Sequence, residues 1–177
     1  MNQRMLMDEE WIQRKVEELA RQLSDIVGGG DMVLVGIVGG GTALARALAE
    51  ELARLRGSPP PVGEMDITLY RDDTAQAAVK RVRSTRIPAP VEGATVVLVD
   101  DVLHTGRSVR AAMEELMDFG RPARVVLVTL VDRGGRQLPI QPTLTGARVE
   151  VEPHESVEVR LSGEPRGVFA VAGGQQG

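Results

Sequence analysis

The sequence contains no cysteine and only two histidines, His104 and His154. Those absences exclude disulfides, thiolate zinc sites and a cysteine nucleophile, and leave little for a histidine-based metal centre. Aromatic residues make up 2% of the chain (Trp11, Tyr70, Phe119, Phe169), too few for the platforms on which single-stranded bases stack. No apolar run approaches the roughly 18 residues of a membrane-crossing helix. Met1 to Glu10 holds no apolar core ahead of a cleavage-type site, so a cytoplasmic location without membrane attachment is expected. Positive charge is not in excess either. The 21 basic and 25 acidic side chains give a net −4, which argues against a generally basic nucleic-acid binder but leaves room for a local patch.

What remains is an ordinary globular composition, 42% hydrophobic and 26% charged, in the 177 residues of one compact domain. Residues 8–27 carry Ile12, Val16, Leu19, Ala20 and Leu23 at helical spacing and end at Gly28-Gly29-Gly30. Met32 to Val38 is a continuous apolar run that reads as a strand buried on both faces. Gly39-Gly40-Gly41 breaks it, and Thr42 is placed to cap a second helix striped by Leu44, Leu48, Leu52 and Leu55. Asp66 to Tyr70 reads as a short strand. From Arg71 to Glu92 the pattern dissolves, with Lys80, Arg81, Arg83 and Arg86 among bland residues and prolines, as in a functional flap. Thr95 to Val99 is again a strand, followed by a helix with Val109, Met113, Leu116 and Met117 on its stripe, then the strand Val125–Val131. Three further strands are expected around Val149–Val151, Val157–Val159 and Phe169–Val171. Unbroken aliphatic strands between amphipathic helices predict an α/β fold with a mainly parallel sheet, whose ligands bind beyond the carboxyl ends of the strands. That rule selects Val38–Thr42, Asp100–Ser108 and Asp132–Gly135.

The chemistry is densest in Val96-Val97-Leu98-Val99-Asp100-Asp101-Val102-Leu103-His104-Thr105-Gly106-Arg107-Ser108. Adjacent carboxylates at a strand end repel each other unless a cation or a diol satisfies them. Thr105 to Ser108 open a helix and so offer amides, two hydroxyls and a positive dipole end to a phosphate. Acceptors for sugar hydroxyls and donors for a phosphate thus lie about one loop apart, the arrangement of a ribose 5-phosphate. An acidic metal-binding pair of the receiver-domain kind, or a plain capped helix, uses the same residues differently. The glycines after the first strand are spaced G-x-x-G-G-G, which does not match a dinucleotide-binding turn.

The thirteen-residue segment resembles the phosphoribosyl pyrophosphate (PRPP) signature of type I phosphoribosyltransferases. Asp66 to Asp73, Gly120-Arg121-Pro122, Leu130 to Gly134 and Leu138-Pro139-Ile140 resemble the PyrR family, which combines uracil phosphoribosyltransferase activity with mRNA-binding attenuation. The likeness runs over roughly residues 10–141. It implies the type I phosphoribosyltransferase fold, a mainly parallel sheet flanked by helices with a small hood, spanning residues 1–177 as one domain. The hood is expected from both chain ends and the flap at about 71–92. The implied reaction transfers ribose 5-phosphate from PRPP to uracil, giving UMP and pyrophosphate with Mg2+, in a homodimer or higher homo-oligomer.

Residue by residue, the resemblance implies that Asp100 and Asp101 hold the ribose hydroxyls and, through them or water, the metal. Val102, Leu103, His104, Thr105, Gly106, Arg107 and Ser108 form the 5-phosphate segment, and Gly39, Gly40 and Gly41 the pyrophosphate loop. Arg71 supplies charge from the flap, and Val131, Asp132 and Arg133 lie where uracil is selected. Three departures from the family pattern stand out. Gly39-Gly40-Gly41 replaces a Thr-Arg-Gly loop and so lacks a guanidinium. His104 stands where the family has Tyr and offers a base or a hydrogen-bond partner. Residues 147–166 hold three basic and five acidic side chains where the family is basic, which weakens the case for RNA binding. Alternatives that stay open are an attenuator with little catalysis and a transferase for another base.

Overall fold

The computed structural model describes residues 3–69 and 85–173. Alternate residues of β4 (Thr95–Leu103) serve opposite faces of the central sheet. Val97 and Val99 join a core with α1 (Glu9–Val27) and α2 (Gly40–Arg56), whereas Val96 and Leu98 join one with α3 (Arg107–Leu116). Both faces are dry, which is why the strand is written in unbroken aliphatics. β2 (Met32–Ile37) and β5 (Arg124–Asp132) follow suit, with Leu34 and Val126 on the first face and Val33 and Leu127 on the second. Truncating a fully buried side chain such as Leu98 to Ala costs about 2–5 kcal/mol at such positions.

β3 (Val62–Met65) and β6 (Leu144–Arg148) complete a five-stranded sheet of order β3-β2-β4-β5-β6, parallel throughout. The chain leaves β2 for β3 on one side and returns to β4 on the other. The order therefore switches between β2 and β4, and in such sheets ligands bind beyond the carboxyl ends of the strands at the switch point. That placement positions the site.

Local chemistry explains the helices. The Asp8 carboxylate caps α1 by accepting the Trp11 amide at 2.8 Å, and Glu9 and Glu10 complement the helix dipole. Thr42 does not cap α2, which begins two residues earlier at Gly40 after an N-cap Gly39 without a side-chain bond; the buried Thr42 hydroxyl has no hydrogen-bond partner. The buried stripe of α3 is Val109, Ala112 and Leu116; Met113, off that stripe, and Met117, in the 3-10 turn that follows the helix, are exposed.

A second sheet joins the two ends of the chain. β1 (Gln3–Asp8), β8 (Gly167–Ala172) and β7 (Glu155–Arg160) lie side by side in that order, antiparallel. Two expected strands are displaced. Asp66–Tyr70 is preceded by β3, and Ile67–Leu69 form a 3-10 turn because the Asp66 carboxylate accepts the Thr68 amide and hydroxyl. Val149–Val151 follows β6 rather than forming a strand, since pairing with β5 falls on Leu144–Arg148 and ends once the Val149 amide reaches the Asp132 carbonyl. Of the flap, Arg71, Lys80, Arg81 and Arg83 lie outside the described residues. Its far end, 85–92, is packed: Arg86 and Glu64 exchange backbone bonds at 2.8 and 2.9 Å, and Val91 is buried.

Candidate active site

Asp100 and Asp101 stand near the end of β4, beside the glycine turn after β2. Gly36 lies beside Val99 in the ladder, so the two strands end together. Gly40 meets Asp101 so closely that a Cβ on it would sit 2.0 Å from Asp101 Oδ2 and 2.3 Å from Cγ. The glycine at 40 is therefore the space in which the Asp101 carboxylate rests, at the first turn of α2. This contact, invisible in the sequence, gives a reason for a small residue in that loop. Burial pushes the Asp101 carboxyl above the usual carboxylate range, against hydrogen bonding with Asp100 and the Asp101 and Val102 amides. Asp100 is itself buried and accepts the Asp101 amide at 3.1 Å. Two neighbouring carboxyls in a dry cleft are a poor resting state for two negative charges and a good receptor for hydroxyls or a cation.

The loop from His104 to Ser108 links β4 to α3, whose N-cap is Gly106. Its backbone is clasped from outside: the Gln137 and Leu138 amides donate to the Thr105 carbonyl at 3.0 and 3.2 Å, and Arg107 Nε donates to Gln137 Oε1 at 2.9 Å. Thr105 Oγ1 accepts the Arg107 amide at 3.4 Å. Thr105–Ser108 thus form the positive end of α3 in a fixed loop. Leu103 has no part in that surface, because its side chain is buried in the core on the α3 face; Val102, beside Val131 in the ladder, is half-buried.

On the β5 side, Asp132 pairs with Arg136 and not with the adjacent Arg133. Asp132 is 2% exposed and binds Arg136 Nη2 at 2.8 Å, with the Gly134 amide at 2.9 Å on its other oxygen. Burial pushes its carboxyl up, but the Arg136 and Gly134 hydrogen bonds and the charges of Arg136 and Arg148 bring it below the usual range. Arg133 turns the other way. Its Nη1 meets His104 Nδ1 at 3.2 Å, its Nη2 donates to the Glu155 carbonyl at 2.5 Å, and its amide donates to the Leu103 carbonyl at 2.9 Å. Arg136, which sequence reasoning missed, also donates to the Ile140 and His104 carbonyls, both at 2.8 Å. It ties the signature loop to the segment after β5. The only signal for it was an arginine four residues after a strand-end aspartate. Val131 is fully buried.

A buried acidic group on the α3 face was also not foreseen. Glu115, 6% exposed, accepts the Thr85 hydroxyl, which in turn accepts the Asp66 amide at 3.0 Å. The other Glu115 carboxyl oxygen is buried without a partner. Burial pushes this carboxyl up, relieved by the Thr85 bond and reinforced by the charges of Asp66 and Asp118.

Residues 2–158 match the phosphoribosyl transferase domain model. The chain is 45% identical over 162 residues to the bifunctional protein PyrR of Chloroflexus aurantiacus, covering 90% of this chain and 89% of that one. It is 43% identical over 167 residues to that of Bacillus velezensis, covering 92% of each. Among solved structures, a hypoxanthine phosphoribosyltransferase of Trypanosoma cruzi superposes with a TM-score of 0.75 over 94% of both chains at 20% identity, a likeness of fold. With the acid pair, the signature loop and the sheet order all in place, the chain belongs to the PyrR family of type I phosphoribosyltransferases.

Proposed function

We propose that the protein transfers ribose 5-phosphate from PRPP to uracil, forming UMP and pyrophosphate, and that it also responds to these ligands as a regulator of pyrimidine genes through leader mRNA. The observation that carries the reading is the meeting of three groups at one switch point: the acid pair of β4, the loop opening α3 and the glycine turn opening α2. The name shared by the relatives, bifunctional protein PyrR, supports it.

Asp100 and Asp101 accept the ribose hydroxyls, and Thr105, Gly106, Arg107 and Ser108 donate to the 5-phosphate. Amides of Gly39–Gly41 receive the pyrophosphate, an arrangement that needs no guanidinium. Arg133 lies beside the base, while Val131, fully buried, only supports that end of β5 and Asp132 acts behind as the anchor of Arg136. Arg71, outside the described residues, adds charge over the leaving group. The C1–pyrophosphate bond breaks as the bond from C1 to uracil N1 forms, the N1 proton passes to water and pyrophosphate departs. Holding both reactants in line across the crevice supplies much of the acceleration.

Mg2+ fits this site as a companion of the substrate. Among the described residues no group of three or more His, Asp or Glu side chains could hold a metal alone. Two adjacent carboxylates with substrate oxygens are the usual setting of that ion. Bound there, Mg2+ would neutralise charge on the pyrophosphate. No helix among the described residues is long and apolar enough to cross a membrane. We place the protein in the cytoplasm, as a homodimer or higher oligomer.

The test is product formation from PRPP and Mg2+ with labelled uracil, orotate or hypoxanthine. UMP from uracil alone is expected. Product from another base only, or PRPP binding without any product, would overturn the substrate or the activity.

A further inference from the structure

His104 is one of two histidines in the chain, and it sits between the phosphate loop and the segment after β5. Its ring state follows from its neighbour. A guanidinium carries only N–H donors and stays charged. Arg133 Nη1 therefore donates to His104 Nδ1, which must be the unprotonated nitrogen. The ring is neutral and its proton is on Nε2. Arg133 cannot swing away cheaply, because its other guanidinium nitrogen is held by the Glu155 carbonyl and its amide by the Leu103 carbonyl. Arg136 fixes the backbone of the same residue through the His104 carbonyl. Burial, then the charges of Arg133 and Arg136, lowers the pKa of the ring from its ordinary value.

Gly135 packs beside the Nε2–Cδ2 side of the ring and, having no side chain, does not cap it. A Cβ on Gly135 would lie 2.8 Å from Nε2 and 3.0 Å from Cδ2, and the φ of +70° at this position also favours glycine. Among the described residues Nε2 has no hydrogen-bond partner. The two cations beside the ring are committed to protein acceptors, Arg133 to His104 and Glu155, Arg136 to Asp132, His104 and Ile140. What the ring offers a ligand is one neutral N–H donor, suited to a neutral carbonyl oxygen and opposed to an amino group.

We propose that His104 is a base-selecting residue: Arg133 locks its imidazole as the Nε2–H tautomer, and that N–H donates to a carbonyl oxygen of the incoming base. The inference rests on the uracil reading above and deepens it. It also removes one role the sequence left open, because a ring with Nδ1 occupied and Nε2 already protonated cannot take the N1 proton of uracil. Uracil presents carbonyl oxygens on both sides of N3. Cytosine presents an amino group in place of one of them and would set donor against donor.

Two measurements test it. In the wild-type protein at pH 7, long-range 15N–1H spectra should show His104 with an unprotonated Nδ1 and a protonated Nε2, assigned against a His154→Gln variant. A proton on Nδ1 overturns the lock. The second compares kcat/KM for uracil, 2-thiouracil and 4-thiouracil, since a thiocarbonyl accepts hydrogen bonds poorly. The wild type should disfavour one thio analogue by roughly 3–10-fold, the worth of one neutral hydrogen bond. His104→Ala should lower kcat/KM for uracil by a similar factor and erase that preference. His104→Gln, with an amide N–H of similar reach, should recover part of it. A wild type that makes UMP but shares the thio preference of His104→Ala overturns the inference alone. A wild type that makes no UMP overturns the uracil reading beneath it.

Discussion

The Asp101 carboxylate and Gly40 share one space: a Cβ at position 40 would overlap Asp101 Oδ2 at 2.0 Å. The acid proposed to receive the ribose is therefore shaped by the turn proposed to receive the pyrophosphate, across the boundary between two strands.

Gly40→Ala tests that relationship. In a helix an alanine is ordinarily stabilising by about 0.5–1 kcal/mol over glycine, so the fold should survive with little change in Tm. The methyl group must displace the carboxylate, and a misplacement of that size costs on the order of 10²-fold in kcat/KM. Urea unfolding and PRPP kinetics on the same variant separate the two effects. Unaltered kinetics would show that the Asp101 position is unimportant.

Arg136→Ala should destabilise the protein by about 3–5 kcal/mol at pH 7, because it strands the buried Asp132 carboxylate. In the wild type this carboxyl is held below its ordinary value, so its stabilisation is present above that value and is lost as pH falls through the native pKa. In the variant the carboxylate keeps its burial without its main partner and gains from protonation. The difference between the two proteins should shrink from pH 7 to pH 4 in urea titrations. A difference independent of pH would mean that the ion pair is not its source.

Glu115 has the opposite sign. Its carboxyl is raised in the folded protein, so the native state binds the proton more tightly and stability falls as pH rises through the native pKa. Glu115→Gln keeps an acceptor for Thr85 and removes the charge. Its Tm should exceed that of the wild type at pH 8 and match it at pH 4. A lower Tm at pH 8 would contradict the assignment.

RNA affinity should be limited by ion pairs already made on and beside the small sheet. Arg4 binds Glu155 at 3.2 Å, Arg160 binds Glu158 at 2.8 Å and Arg166 binds Glu9 at 2.8 Å. A Glu155→Gln, Glu158→Gln variant frees two of these arginines for phosphates. Its affinity for a leader hairpin, with UMP present, should rise and its dependence on salt steepen. An unchanged salt slope would place RNA binding elsewhere.

Much of this was legible from pattern. The aliphatic runs Val33–Val35, Val97–Val99 and Val126–Val128 gave the parallel sheet because both its faces are buried, and Ile12 to Leu23 gave α1 by spacing. Strand β1 was not legible, since its partner β8 lies at the far end of the chain and its Met and Leu residues show no clean alternation. In the site, the Asp100–Ser108 segment stood out because its donors and acceptors are contiguous. The roles of Arg136 and Glu115 depend on partners brought together only by folding, Asp132 and His104 for one, Thr85 for the other. The pairing of Asp132 went to Arg136 rather than the adjacent Arg133, whose side chain reaches across to His104.

The central claim is that PRPP is held in the crevice between β2 and β4 by the acid pair. The most direct measurement is calorimetric titration of PRPP with Mg2+ into the wild type and into an Asp100→Asn, Asp101→Asn variant of the same Tm. Loss of at least about tenfold in affinity is predicted, consistent with charge-assisted hydrogen bonds worth roughly 1.5–3 kcal/mol each. Equal affinity for PRPP in the two proteins would contradict the account.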